Sequence, residues 1–299
     1  MDNMRGIILM VLGMAGFAAE DMFIKLASGS LPVGEILLIL GLPGAALFAI
    51  IAKSRGVDPF SAAFFHPAVM VRNASEMIGS IGFVTALALI PLATATTILQ
   101  AAPLFVTMGA ALILSEPVGW RRWSAILVGF GGVVLVIRPG LEGFEPNVLW
   151  AVLGVVALSA RDLASRKVPK SILSLQLAVW GFFAVGITGL LMLAVTGGAK
   201  IPTMSETIYL TGALLIGTFA YWTLTEATRV GEISVVMPFR YSRLLFSMVV
   251  GALVFSEFPD TYTLIGASII IATGIYTIMR ERKRRRQEAT LAKAASAGL

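Results

Sequence analysis

Ten apolar runs, most of them close to the length that crosses a bilayer, follow one another through most of the sequence. They cover about 5–26, 33–52, 69–90, 93–114, 123–137, 148–164, 173–195, 208–228, 233–255 and 261–279. A hydrocarbon core takes about 20 apolar residues in helical form. Inside it only helices and closed barrels satisfy every backbone polar group. Runs this long and continuous exclude barrel strands, so the expected fold is all-α and integral to the membrane, with ten transmembrane helices. Turn signals punctuate the runs: Gly29-Ser30-Leu31-Pro32, Asp58-Pro59, Glu116-Pro117, Arg138-Pro139-Gly140, Gly197-Gly198 and Pro259-Asp260. Only Pro91 separates the third run from the fourth, which predicts a tight hairpin there.

Composition removes other classes. Charged residues make up 13% of the 299 and hydrophobic residues 57%, where a soluble domain carries about 25% charged. The absence of cysteine excludes thiolate metal sites and thiol catalysis, and the single histidine, His66, excludes a histidine metal cluster. No cofactor or metal is therefore expected. Much of the net charge of +6 sits at 280–286, directly after the last run. Such a block reads as an anchor beside anionic lipid, not as a nucleic-acid site. The first run lacks a short core followed by a small-residue cleavage pattern, so it is expected to remain as a span and not to act as a cleaved signal.

Lysine and arginine orient the runs. Lys53 and Arg55, Arg121 and Arg122, Arg166, Lys167 and Lys170, and Arg229 fall in the even-numbered connections, and the basic tail follows run ten. The odd-numbered connections carry little: Lys25, Arg138 and Lys200. This bias predicts a multi-pass protein of the bacterial inner membrane with both termini in the cytoplasm.

The chain is also a duplication. A shift of 141 residues places Asp21 on Asp162, Lys25 on Arg166, Thr97 on Pro238, Gln100 on Tyr241 and Glu116 on Glu257. The expected units are 1–141 and 142–280, five spans each, followed by a basic tail at 281–299. An odd number of spans per unit inserts the two units in opposite orientation. Inverted repeats of this kind put a substrate site near the midplane between the halves.

Run nine is where polar groups concentrate. It reads Val-Val-Met-Pro-Phe-Arg-Tyr-Ser-Arg over 235–243. Pro238 frees a carbonyl and kinks the helix. Arg240 and Arg243 lie three residues apart on one helical face. An arginine at bilayer depth faces protein or a watery cavity. The two guanidinium groups either bind substrate oxygens with their planar forks or pair with buried acids from other helices. Phe239 and Tyr241 flank them and could stack on a flat ligand ring, as could Trp222. Phe17, Trp180 and Tyr221 read more simply as packing. Gln100 and Thr97 approach from the matched run of the other half.

Four acids complete the inventory. Glu20 and Asp21 are about 100° apart on their helix, and Asp21 could pair locally with Lys25 four residues on. Glu76 lies four residues after Arg72, and local pairing is its structural alternative to binding a cationic group. Asp162, between Arg161 and Arg166, reads as an interfacial network. Glu116 and Glu257, at matched helix ends, read as architecture. The glycine-rich stretch Gly129-Phe130-Gly131-Gly132 has no preceding strand and no Gly-Lys-Ser/Thr, so it serves close helix approach and not phosphate binding.

The motifs resemble a known group. Pro91-Leu92-Ala93-Thr94-Ala95, Leu114-Ser115-Glu116-Pro117 with Trp120-Arg121, and Gly129-Phe130-Gly131-Gly132-Val133 are echoed by Gly231-Glu232-Ile233-Ser234, Pro238-Phe239-Arg240-Tyr241 and Phe255-Ser256-Glu257. Over about 5–280 the chain is similar to the drug/metabolite transporter superfamily, in its ten-helix EamA type. The resemblance implies a secondary transporter of a small organic molecule, monomeric or homodimeric. The Pro-Phe-Arg-Tyr-Ser-Arg stretch is similar to bacterial riboflavin importers, and the same region before Glu-Phe-Pro-Asp to S-adenosylmethionine importers. A flat neutral ring would favour Arg240, Tyr241 and Phe239; a cationic substrate would favour Glu20 and Glu76. An integral-membrane enzyme is the rival class, but no catalytic constellation is present at depth. A scaffold would have no use for two arginines and a proline in mid-span.

Overall fold

The computed structural model describes residues 2–116, 118–140 and 143–296, with the side chains of all but 233, 234, 281 and 284–296. Pro117, the boundary at 141–142 and the side chains of the distal basic tail lie outside the described residues.

The first half comprises α1 (Asn3–Ser28), α2 (Val33–Ser54), α3 (Pro67–Leu89), the pair α4 (Leu92–Leu99) and α5 (Ala102–Ile113), and α6 (Trp120–Ile137). The second comprises α7 (Val148–Ser165), α8 (Ser174–Thr196), α9 (Met204–Val230), the short α10 (Ile233–Val236), a 3-10 turn over Met237–Tyr241, α11 (Ser242–Phe255) and α12 (Thr261–Ser296). Among the described residues nine stretches are long and apolar enough to cross a membrane. The tenth, α3, has the length at 23 residues. Its Arg72, Asn73 and Glu76 lower its hydropathy. Exposed Leu112, Leu127, Leu253 and Ile265 line outward faces, which suits hydrocarbon as solvent and not water.

Both broken spans break at matching places. In Leu92–Ile113 the α-helix lapses at Gln100 and Ala101, two residues before Pro103. In the second half Pro238 tightens the chain into the 3-10 turn ending at Tyr241, and Tyr241 is the position that matches Gln100. A proline lacks the N–H that would close the preceding turn, so the ladder yields there. Each of these spans then ends in a serine with left-handed backbone, Ser115 at φ 55° and Ser256 at φ 54°. The turn folds the next amide back, Glu116 N–H to the Ala110 carbonyl at 3.1 Å and Glu257 N–H to that of Gly251 at 2.9 Å.

The helices pair reciprocally. α1 packs on α9 and α3 on α7, while α2 packs on α8 and α6 on α12. Each contact maps onto its partner when the halves are exchanged, which is the signature of a two-fold relation between inverted repeats. The seams are built of small residues because lipid gives helices no hydrophobic reason to associate, so close backbone packing must do it. A Cβ on Gly41 would stand 2.1 Å from the Gly186 nitrogen, and one on Gly82 would stand 2.5 Å from that of Gly154.

Beyond the last span the basic segment stays helical, and α12 runs on to Ser296. Its Lys, Arg, Glu and Ala residues are strong helix formers, and glycine does not interrupt them before 298.

Candidate substrate site

The interior of the bundle carries two layers of charge, and Arg240 lies between them. In the first layer Arg243 of α11 grips Asp21 of α1. Nη2 donates to Oδ2 at 2.7 Å and to Oδ1 at 2.8 Å, and Nε to Oδ2 at 3.1 Å. Asp21 is fully buried, and Phe17 and Phe83 present their ring faces to the guanidinium at 5.1 and 5.7 Å. Arg243 therefore has its acid, and the local Asp21–Lys25 pair expected from spacing does not form. The reason is packing: α1 turns Asp21 inward toward α11, while Lys25, one turn on, reaches the helix ends.

In the second layer Arg161 of α7 binds Glu76 of α3 at 3.0 Å and its own neighbour Asp162 at 2.8 Å. Arg72 approaches Glu76 only to 3.6 Å, so the local i,i+4 pair is secondary to the interhelical one. Glu76 is thus held by arginines. Arg166, expected to join Asp162, instead pairs with Glu116 at 3.0 Å.

The Arg240 guanidinium takes part in no hydrogen bond or ion pair among the described residues. Its backbone carbonyl accepts from Gln100 Nε2 at 3.2 Å, so the two helix breaks touch across the repeat boundary. Glu20 is likewise without a hydrogen bond or ion pair among the described residues.

The remaining candidates sit apart from these groups. Tyr241 is buried with its hydroxyl against Gly274 of α12, and that hydroxyl has no hydrogen-bond partner among the described residues. Thr97 is fully buried and returns its hydroxyl to the Ala93 carbonyl at 2.6 Å. Trp222 is half-exposed beside Phe219 on the outer side of α9, and Phe239 is partly exposed. The structure gathers Arg240, Arg243, Gln100 and Glu20 around the helix breaks and places Trp222 elsewhere.

Two further pairs close the ends of the bundle. Lys25 Nζ contacts Glu257 at 3.0 Å and donates to the Ile90 carbonyl at 2.6 Å. Glu257 also accepts from the Leu92 N–H at 2.8 Å, at the start of α4, where a helix dipole favours negative charge. Shifted by 141 residues, Lys25–Glu257 becomes Arg166–Glu116, the pair observed at the other end. The charge-bearing partners were thus visible in the repeat, although the sequence reading took the acids as architecture and did not join them to these cations.

Comparison with known proteins completes the picture. A family profile described as "EamA-like transporter family" matches twice, over 4–138 and 146–280. The chain belongs to the EamA-like transporter family. Within it the chain is 30% identical over 217 residues to a protein of Rickettsia prowazekii named S-adenosylmethionine uptake transporter, 72% of each chain being covered. It is 29% identical to a riboflavin transporter of Rhizobium johnstonii, covering 74% of this chain and 72% of that one. A solved crystal structure with 20% identity superposes with a TM-score of 0.59, covering 91% of this chain and 98% of the other; it supports the fold alone. The chain is a multi-pass membrane protein of a transporter family.

Proposed function

We propose that the protein is a secondary transporter that carries a small organic metabolite across the inner membrane by alternating access. One observation carries the reading: the reciprocal end pairs. Lys25–Glu257 and Arg166–Glu116 occupy equivalent places in oppositely oriented repeats, so they lie toward opposite faces. They are unequal, with side-chain exposures of 12% and 23% in the first pair and 41% and 45% in the second. An inverted two-fold structure whose two ends differ in closure is one state of a pair, and the exchanged state seals the other end. The Lys/Arg bias supports a cytoplasmic Arg166–Glu116 face with both termini on that side.

The relatives' names bring two substrates to this chain on equal terms, riboflavin and S-adenosylmethionine. Uptake of riboflavin is supported by Arg240, whose guanidinium makes no hydrogen bond among the described residues and lies beside Phe239. Uptake of S-adenosylmethionine is supported by Glu20, a carboxylate that accepts no hydrogen bond among the described residues. The chain has no cysteine, so paired cysteines can be introduced cleanly. With the Lys25–Glu257 or the Glu116–Arg166 positions replaced by cysteines, a short thiol crosslinker should stop liposome uptake of either compound. A third cysteine should become reachable from opposite sides in the two locked forms. Full uptake after complete crosslinking at both ends would remove alternating access.

A further inference from the structure

The seam between α6 and α12 is clasped at one end and open at the other. At the clasped end Arg138, just after α6, pairs with Asp260, just before α12. Its guanidinium also lies 4.5 Å from the centre of the Tyr262 ring. In the middle the helices meet through glycines. A Cβ on Gly132 would stand 3.0 Å from the Gly266 carbonyl oxygen, and one on Gly129 would stand 2.8 Å from Thr273 Oγ1. Toward the start of α6 the seam opens into a groove of about 400 Å³. Trp120, Arg121, Ser124 and Val128 form one wall, and Ala272 and Tyr276 form the other. Exchange of the two halves maps the open end onto the clasped one. The shift of 141 puts Met279 in the place of Arg138, Gly119 in that of Asp260 and Arg121 in that of Tyr262. A thioether and a glycine thus stand where the other end has an ion pair, and a Cβ on Gly119 would meet nothing within 4 Å.

The walls of the groove are apolar and its mouth is basic. Ser124, the small polar residue among the walls, returns its hydroxyl to the Trp120 carbonyl at 3.0 Å. At the mouth the Arg121 guanidinium lies 5.3 Å from the centre of the Trp120 ring. It makes no ion pair among the described residues. Arg121 and Arg122 occupy the first turn of α6, which holds no acid, and Gly119 supplies no side-chain cap. The start of a helix carries partial positive charge and favours an anion there. Two arginines add to that charge, and a bound anion offsets it. From the other wall α12 brings Arg280, four residues on from Tyr276 and on the same helical face. From 280 to 286 every residue but Glu281 is basic.

An apolar slot on the outside of a membrane bundle, with an aromatic and cationic mouth at the end of two spans, has the form of a lipid site. We infer that this groove binds one anionic phospholipid. An acyl chain lies along Val128 and Ala272, and the phosphodiester rests at the start of α6 against Arg121 and Tyr276. Charge selects this occupant. A second copy of the chain related by a two-fold axis would set the same patch against itself and bring like charges together. A zwitterionic lipid carries its own cation to a mouth that is already basic. The bound lipid joins α6 to α12 at the end where the Arg138–Asp260 pair has no counterpart. The site lies outside the bundle, so it does not depend on which molecule the interior carries.

The test is native mass spectrometry and thermal shift on the purified full-length protein in detergent. The probes are phosphatidylglycerol and phosphatidylcholine with the same acyl chains. Phosphatidylglycerol should leave one retained adduct per chain and raise the melting temperature, since a ligand that prefers the folded state stabilises it. Phosphatidylcholine should do both more weakly. Arg121→Gln should lower the adduct about fivefold, the effect of one basic residue beside an anionic headgroup. Ala272→Trp fills the groove from the opposite wall and should remove the adduct with Arg121 still in place. Both positions are exposed, so both variants should keep the melting temperature of the lipid-free parent. Glutamine at Lys283, Arg284, Arg285 and Arg286 together should leave the adduct in place. Four outcomes overturn the inference. Equal retention of the two lipids would mean an unselective annulus. An adduct unchanged in either groove variant would place the lipid elsewhere. Loss of the adduct when 283–286 are neutralised, with retention in Arg121→Gln, would assign it to the basic run. A dimer that excludes lipid and disappears in Ala272→Trp would give the groove to a second copy.

Discussion

At the residue scale the structure separates two arginines that spacing had made equivalent. Arg243 is a buried partner of Asp21, and the Arg240 guanidinium makes no hydrogen bond or ion pair among the described residues. Removing one member of a buried pair strands the other charge, at a cost of about 3–5 kcal/mol. Arg243→Met should therefore unfold the protein at markedly lower temperature. Asp21→Asn in the same chain should restore much of the loss, a coupling that a double-mutant cycle reads directly. Arg240→Met breaks no ion pair among the described residues, so its melting temperature should stay within a few degrees of the parent while ligand affinity falls. A collapse of Arg240→Met comparable to that of Arg243→Met would mean that Arg240 also has a structural acid. Spacing could place both arginines on one face but could not tell which of them meets Asp21, because that depends on how α11 rotates against α1.

At the element scale the decisive features are close approaches and breaks. Gly41 and Gly186 bring α2 and α8 into backbone contact. Overpacking a tight interface costs about 1–3 kcal/mol, so Gly41→Val should lower the melting temperature and the yield of folded protein. The equivalent change at Gly131, whose added Cβ meets nothing within 4 Å, should do neither. The break at Pro238 was legible from sequence, since proline ends an α-ladder wherever it falls in mid-helix. Its counterpart at Gln100 was less so. Pro103 stands at the start of α5, where proline is tolerated, and only the repeat alignment points to a matching irregularity. The local pairs at four-residue spacing were the weakest guide. Arg72–Glu76 forms at 3.6 Å beside the closer Arg161, while Asp21–Lys25 gives way to partners on other helices, Arg243 and Glu257.

At the scale of the whole molecule, two five-span units of opposite orientation should leave the chain with its termini on one side. Single cysteines introduced at Asn3 and Lys283 should label from the same face, and one at Gly140 from the opposite face. Labelling of Asn3 and Gly140 from one face would mean that the number of spans between them is even. The sequence by itself determined the class, the number of spans and the internal duplication, and it named run nine as the candidate site. Each of these follows from hydrophobic run length, proline chemistry or a constant offset, and none needs to know which helix touches which. Only the tertiary structure decided the partners: that α1 faces α9 and that Arg243 closes on Asp21. Partner choice is a matter of helix rotation and seam packing between segments more than a hundred residues apart. In a bilayer, where one apolar face resembles another, the hydrophobic pattern of a single helix carries little of that information.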